Sequence, residues 1–221
     1  MRKTEPRVHF HERLDDLTAS VDSMGKAAGD ALQMAVRSLM ERNPDLAEQV
    51  IERDKEINRM EVEIEKACLN LLALQQPVAR DLRVIGSVLK MATDLERMGN
   101  HARDICRIVL RIGDEPLIKP LVDIPAMAKI AEDILSDSLK ALRDGDSDSL
   151  YDAAAKDDEM DRLFSLVFDE LVELECDSRK LPQATYLMLI AAHIERAGDH
   201  AFNVAEWVLY AVSGERHELN G

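Results

Sequence analysis

Cysteine and long apolar runs are what this sequence has least of. Its three cysteines, Cys68, Cys106 and Cys176, are far apart and form neither a CxxC pair nor a Cys/His metal spacing. We therefore expect buried free thiols in a reducing compartment. The longest apolar runs fall far short of the roughly 20 residues that span a membrane, and the first ten residues contain no apolar segment of a signal peptide. These absences predict a soluble, cytoplasmic protein that does not insert into a membrane.

Basic residues are also few in comparison with acidic ones. The chain has 28 Lys and Arg residues against 43 Asp and Glu residues, which gives a formal net charge of −15 at pH 7. An acidic surface repels phosphate backbones, so we expect no binding to nucleic acid. Cations and basic patches on partner proteins are the natural counterparts of such a surface.

Aromatic residues, glycine and proline are scarce too, whereas Ala, Leu, Met and Glu are abundant. This composition is typical of a helical protein. No alternation typical of strands occurs, and apolar residues recur at helical spacing. Asn43 and Ser147 are predicted helix caps, Gly145 a predicted helix end and Pro182 a first-turn proline. The spacing predicts six helices, which run from Phe10 to the RNPD stretch at 42–45 and then over about 45–74, 79–111, 125–143, 147–176 and 182–212.

Two stretches of the sequence occur twice. DLERMGNHARD at 94–104 returns as HIERAGDHAFN at 193–203 with five of eleven positions identical, and DKEIN at 54–58 returns as DDEMD at 157–161. The repeat predicts an all-α fold, a tandem duplication of two three-helix bundles with six long antiparallel helices. The predicted units are residues 1–112 and 126–221, joined by a proline-containing linker at 113–125, and each is expected to bury its own core.

Each repeat carries two rows of acidic or amide side chains, spaced four residues apart on adjacent helices. Like charges at this spacing destabilise a helix by roughly 0.2–0.5 kcal/mol per pair, and a bound cation would reverse that sign. Carboxylate and amide oxygens are hard ligands that suit magnesium, manganese, calcium or iron better than structural zinc. The candidate metal ligands are Asp54, Asn58, Glu96, Asn100 and Asp104 in the first repeat, and Asp157, Asp161, Glu195, Asp199 and Asn203 in the second.

An acidic row opposite an apolar stripe is usually a solvated helix face, so one row alone would indicate little. Four rows in corresponding places of two repeats favour a binding site. Because the second set has four carboxylates and the first has three, we expect the second to bind a cation more tightly. Gly99 and Gly198 recur in mid-helix, which indicates close helix packing. His101 and His200 lie about 100° round the helix from the centre of the rows, so we expect them to pack between helices.

The two repeated stretches, together with QQPVARDLRVIGSVLKMATDLER at 75–97, resemble the PhoU family of regulators associated with the phosphate-specific ABC transporter. The family's E(D)xxxD signature corresponds to the pairs 54/58, 96/100, 157/161 and 195/199, although Asn58 and Asn100 replace its second acid. The resemblance implies two similar three-helix bundles, a homodimer, and divalent or iron-type cations (magnesium, manganese or iron) on the acidic rows. It also implies negative regulation of phosphate uptake and of the phosphate-starvation two-component response, through the transporter's ATPase and a phosphate-sensing histidine kinase.

Three kinds of function remain open on the sequence alone. The first is a non-enzymatic, metal-binding signalling adaptor in phosphate homeostasis. The second is a metal-dependent hydrolase or oxidase that uses the carboxylate clusters. It is weakened by the absence of an evident nucleophile, a glycine-rich phosphate loop or the ExxH pattern of di-iron oxidases. The third is a purely structural helical scaffold whose acidic rows are solvated.

Overall fold

The chain is described by a computed structural model over residues 5–75, 77, 79–174, 180–215 and 219. Within these residues it forms long helices and no strand, which confirms the predicted all-α class. None of the described helices is long and apolar enough to cross a membrane. The helices are α1 (Glu5–Glu41), α2 (Pro44–Gln75), α3 (Arg80–Ile112), α4 (Asp123–Asp144), α5 (Ala153–Leu174) and α6 (Leu181–Ser213).

Several helix ends follow from local sequence as predicted. Arg42 has a φ of 51°, which breaks α1, and the Asn43 side-chain oxygen accepts a hydrogen bond from the backbone N–H of Leu46 at 3.1 Å. That bond satisfies one of the free N–H groups at the start of α2. Gly145 ends α4 in the left-handed conformation, with a φ of 68°, and Pro182 lies in the first turn of α6.

Other boundaries differ from the prediction. α1 already begins at Glu5, and α4 begins at Asp123, inside the predicted linker. Ser147 does not cap an α-helix, because residues 148–152 form a 3-10 turn before α5. In that turn the Ser147 carbonyl accepts a hydrogen bond from Leu150 N–H, and the tight turn buries the Leu150 side chain. The predicted end of the fifth helix, near 176, lies outside the described residues.

The helices of each repeat contact one another, and α3 and α6 join the two repeats. α2 packs on α1 and α3, and α5 packs on α4 and α6. The most extensive contact between any two helices is that of α3 with α6, and α1 also touches α4. One continuous cluster of buried apolar side chains includes residues of all six helices. The expectation of two separate cores is therefore wrong, because α3 and α6 bury one face against their own repeat and another against each other. The repeat boundaries themselves stay a prediction.

The segment between the repeats is held against the second one. The Gln183 side chain is 5% exposed; it accepts a hydrogen bond from Ile118 N–H at 2.6 Å and donates one to the Pro116 carbonyl at 3.1 Å. Lys119 forms an ion pair with Glu170 of α5. This segment, which contains prolines, lies between α3 and α4, and these contacts attach it to α5 and α6.

Gly99 and Gly198 allow the outer helix of each repeat to approach the central one, as their recurrence indicated. A Cβ atom on Gly99 would lie 3.0 and 3.2 Å from two carbons of the buried Ile57 on α2. A Cβ atom on Gly198 would lie 2.8 Å from the terminal methyl of the buried Met160 on α5. Each glycine therefore brings the row on its neighbouring helix close to the row on its own.

We predict opposite effects for alanine at these two glycines. Each replacement gains roughly 1 kcal/mol of helix propensity. The Met160 side chain is unbranched and can turn away, whereas Ile57 is β-branched and stiff, so overpacking of about 1–3 kcal/mol opposes Gly99→Ala. Thermal unfolding should show Gly198→Ala at or above the parent melting temperature and Gly99→Ala below it, with roughly 2–4 °C per kcal/mol. Equal shifts in one direction would contradict this account of the helix contacts.

Candidate metal-binding clusters

The structure brings nine of the ten predicted ligands together in two groups, one in each repeat, and directs the tenth, Asn203, elsewhere. The first cluster is Asp54 and Asn58 on α2 with Glu96, Asn100 and Asp104 on α3. The second cluster is Asp157 and Asp161 on α5 with Glu195 and Asp199 on α6. Although the two clusters occupy corresponding places, their hydrogen bonds and charges differ.

The side-chain amides of the first cluster donate hydrogen bonds to its carboxylates. The Asn58 amide nitrogen donates to Asp54 Oδ2 at 3.3 Å, and the Asn100 amide nitrogen donates to Glu96 Oε1 at 2.6 Å. Asn58 and Asn100 are the two positions at which this sequence lacks the second acid of the E(D)xxxD signature. At each of them, a hydrogen bond between an amide and a carboxylate takes the place of repulsion between two carboxylates.

Arg103 joins the two rows of the first cluster, and sequence reasoning missed it. Its Nη1 donates to Asp54 Oδ2 at 3.0 Å and to Asn100 Oδ1 at 2.5 Å, and its Nε donates to Asp104 Oδ1 at 3.1 Å. Burial alone would lower the Arg103 pKa, but hydrogen bonds and charge attraction from Asp104 and Asp54 outweigh it and raise the pKa above its usual value. Arg103 follows Glu96 by seven residues, about 20° from it around the helix, so a helical projection places it on the same face.

Two oxygens of the first cluster lack partners among the described residues. Asp54 is 6% exposed, and its Oδ1 accepts no hydrogen bond, nor does Asn58 Oδ1. A buried acceptor left without a donor costs about 1–3 kcal/mol. Glu61 lies beside the cluster: burial, followed by the charges of Glu96 and Glu65, raises its pKa. The first cluster is therefore only partly neutralised by Arg103.

The second cluster is a set of carboxylates that repel one another. Burial is the largest cause of a raised pKa at Glu195 and at Asp199, and the neighbouring carboxylates add to it, Asp199 most at Glu195 and Asp157 most at Asp199. Within the described part of the chain, no hydrogen bond or ion pair engages Asp161, Glu195 or Asp199. In their present rotamers, however, no three His, Cys, Asp or Glu side chains of the described residues are arranged to hold a metal ion. A cation would require these side chains to turn toward it.

The Asn203 side chain is directed elsewhere. Its amide nitrogen donates to Oδ1 of Asp94 on α3 at 3.3 Å, and His200 Nδ1 lies 2.9 Å from the same oxygen. Asp94 thus draws Asn203 toward the contact between the two repeats. No sequence pattern pairs Asp94 with Asn203 or His200, because they belong to different repeats.

Three histidines lie in that contact, and as expected His101 and His200 pack between helices. The His101 ring stacks on His200 with centroids 5.6 Å apart, and its Nδ1 lies 3.1 Å from Nδ1 of His193. Burial, together with the neighbouring histidines, lowers the pKa of His101 to about 4. At neutral pH His101 is therefore uncharged, so one ring of the His101–His193 pair can donate and the other accept.

The repulsion in the second cluster leads to a prediction about stability in a chelator. Consider a carboxyl group whose pKa is higher in the folded protein than in the unfolded chain, where it is about 4. Its favourable contribution to the free energy of unfolding is complete below the pKa of the unfolded chain and is lost as the pH rises through the pKa of the folded protein. Glu195→Gln with Asp199→Asn should therefore raise the melting temperature of the metal-free protein at pH 7, and the difference should shrink toward pH 4. Glu48→Gln with Glu56→Gln, which removes two exposed carboxylates of α2, is the matched control. A lower melting temperature for the first variant at pH 7 would contradict the repulsion.

Comparison with known proteins assigns the chain to a family. The model of the PhoU domain matches it twice, over residues 21–109 and 124–208. Similar proteins include the phosphate-specific transport system accessory protein PhoU homologs of Clostridium acetobutylicum, with 33% identity over 96% of this chain and 97% of the relative, and of Aquifex aeolicus, with 37% identity over 92% and 93%. The crystal structure of PhoU from Pseudomonas aeruginosa superposes with a TM-score of 0.89, at 31% identity over 93% of this chain and all of that one.

Proposed function

This chain belongs to the PhoU family, and on that premise we propose that it is a non-enzymatic, metal-binding adaptor that represses phosphate uptake and the phosphate-starvation response. Its relatives are named as accessory proteins of the phosphate-specific transport system, which supports a regulatory part in phosphate transport. The finer proposal is a cytoplasmic homodimer that connects the ATPase of the transporter to a phosphate-sensing histidine kinase. The relatives' names give no support to a hydrolase or oxidase.

The observation that carries the metal proposal is the second cluster. Asp157, Asp161, Glu195 and Asp199 lie close enough for their charges to raise the pKa values of Glu195 and Asp199. These four carboxylates would hold the ion, which would neutralise their charge; their oxygens suit magnesium, manganese or iron. Protons compete for the same oxygens, so the affinity for the ion should fall as pH is lowered through the raised pKa values.

An adaptor also needs a surface for its partners, and the outer side of α5 offers one. Phe168 and Val172 lie one helical turn apart on this side and are exposed by 44% and 42%. The acidic residues Asp169 and Glu173 are exposed beside them. Apolar side chains among acidic ones suit a partner surface that is apolar and basic, and we propose that such a surface on the transporter ATPase or the kinase binds there.

The adaptor proposal predicts a change in phosphate uptake. Cells that lack this protein should take up labelled phosphate in phosphate-rich medium, where cells that contain it do not, and the parent chain should restore repression. If metal in the second cluster is needed, Glu195→Gln with Asp199→Asn should restore less repression than the control Glu48→Gln with Glu56→Gln at the same protein level.

Three other outcomes are informative. Unchanged uptake in cells without the protein would contradict the regulatory role. Full repression of phosphate uptake by the Glu195→Gln, Asp199→Asn variant would show that regulation does not require the second cluster. Turnover of a phosphoester panel by the purified protein with manganese, abolished in that same variant, would instead support an enzyme.

A further inference from the structure

We propose that Arg103 is the internal cation of the first cluster and takes the place of a metal ion there, so that this chain holds metal in its second repeat alone. The part concerning the second repeat rests on the function proposed above. The part concerning Arg103 rests on the contacts of the first repeat and can be tested separately.

The first argument is the set of atoms that Arg103 binds. The guanidinium bonds to one oxygen each of Asp54 on α2 and of Asn100 and Asp104 on α3, at 2.5–3.1 Å. These are hard oxygens from both rows, and they belong to three of the five residues that were predicted to hold an ion in this repeat. The Arg103 side chain is 20% exposed, so its charge is partly shielded from water inside the cluster.

The second argument is the contrast between the repeats. At the offset of 99 residues that relates the third helices, Arg103 corresponds to Phe202, and Arg107 corresponds to Glu206. Phe202 is 7% exposed and belongs to the apolar core, so it brings no charge to the second cluster. The first repeat thus supplies two cations to Asp104, whereas the second repeat has an apolar residue and an acid at the corresponding positions.

The third argument is the permanence of the arginine charge. The guanidinium stays protonated at every pH at which the protein is folded, so it cannot leave the cluster by losing a proton. An ion entering the first cluster would meet this charge or would have to displace Arg103 from three hydrogen bonds. In the second cluster the same ion would relieve repulsion between carboxylates.

The experiment measures Mn²⁺ bound to the purified full-length chain, by titration and by metal content at saturation. We expect Glu195→Gln with Asp199→Asn to abolish saturable binding, and Asp54→Asn to leave it as in the parent. Adding Arg103→Met to the Glu195→Gln, Asp199→Asn variant should restore saturable binding of Mn²⁺. The affinity should be about tenfold or more above that of the Glu195→Gln, Asp199→Asn variant, because the positive charge that repels the ion at ion-pair distance is removed. That restored binding should disappear again with Asp54→Asn.

Arg107→Met is the matched control, since Arg107 also contacts Asp104 but is 57% exposed and reaches neither Asp54 nor Asn100. It should not create binding. Circular dichroism and the melting temperature verify that each variant is folded, and Asp54→Asn in the parent tests the proposal even where Arg103→Met does not fold.

The outcomes separate this proposal from the proposed function. Loss of bound Mn²⁺ in Asp54→Asn, or no gain in Arg103→Met, would overturn the role of Arg103. A parent that binds no Mn²⁺, together with an Arg103→Met variant that binds it through Asp54, would overturn metal binding by the second repeat and support the role of Arg103.

Discussion

The packing of α3 against α6 is the contact on which the rest of the structure depends. Each repeat buries one face of its last helix against the other repeat, and this contact combines side chains of the shared apolar core with His101, His193 and His200. This contact makes one core out of two repeats and leaves the opposite sides of α3 and α6 to face α2 and α5. The acidic rows lie on those opposite sides, at the places where Gly99 and Gly198 let the outer helices come near. The position of each cluster therefore follows from the faces of α3 and α6 that the two repeats bury against each other.

Helix content and many helix ends could be predicted from the sequence because local rules decide them. The cap at Asn43, the left-handed Gly145 and the proline in the first turn of α6 each depend on a few neighbouring residues. The 3-10 turn at 148–152 could not be predicted in this way, because the burial of Leu150 against the second repeat competes with the cap at Ser147. The single core was missed because helical periodicity gives an apolar face but not the partner that covers it.

The residues of the candidate sites could be predicted from the sequence, but the directions of their side chains could not. The spacing of acids and amides predicted which helix faces carry the rows. The direction of Asn203 depends on Asp94 from the other repeat, and no pattern within one repeat contains that information. Arg103 lay on the predicted face, but a long side chain can turn to solvent or into the cluster, and only its contacts with Asp54 and Asp104 decide between the two. The duplicated rows thus differ: Arg103 and the two asparagines partly offset the charge of the first, whereas the carboxylates of the second raise one another's pKa values.

The claim that α3 and α6 join the repeats into one cooperative unit is tested most directly by native-state hydrogen exchange at increasing denaturant. Protected amides in the middle of α3 and of α6 should exchange through the same global unfolding, with one free energy of opening and one denaturant dependence. A free energy of opening for the buried amides of one repeat that is lower than that of the other by more than about 1 kcal/mol, with a shallower denaturant dependence, would show that the repeats unfold separately and would contradict the account.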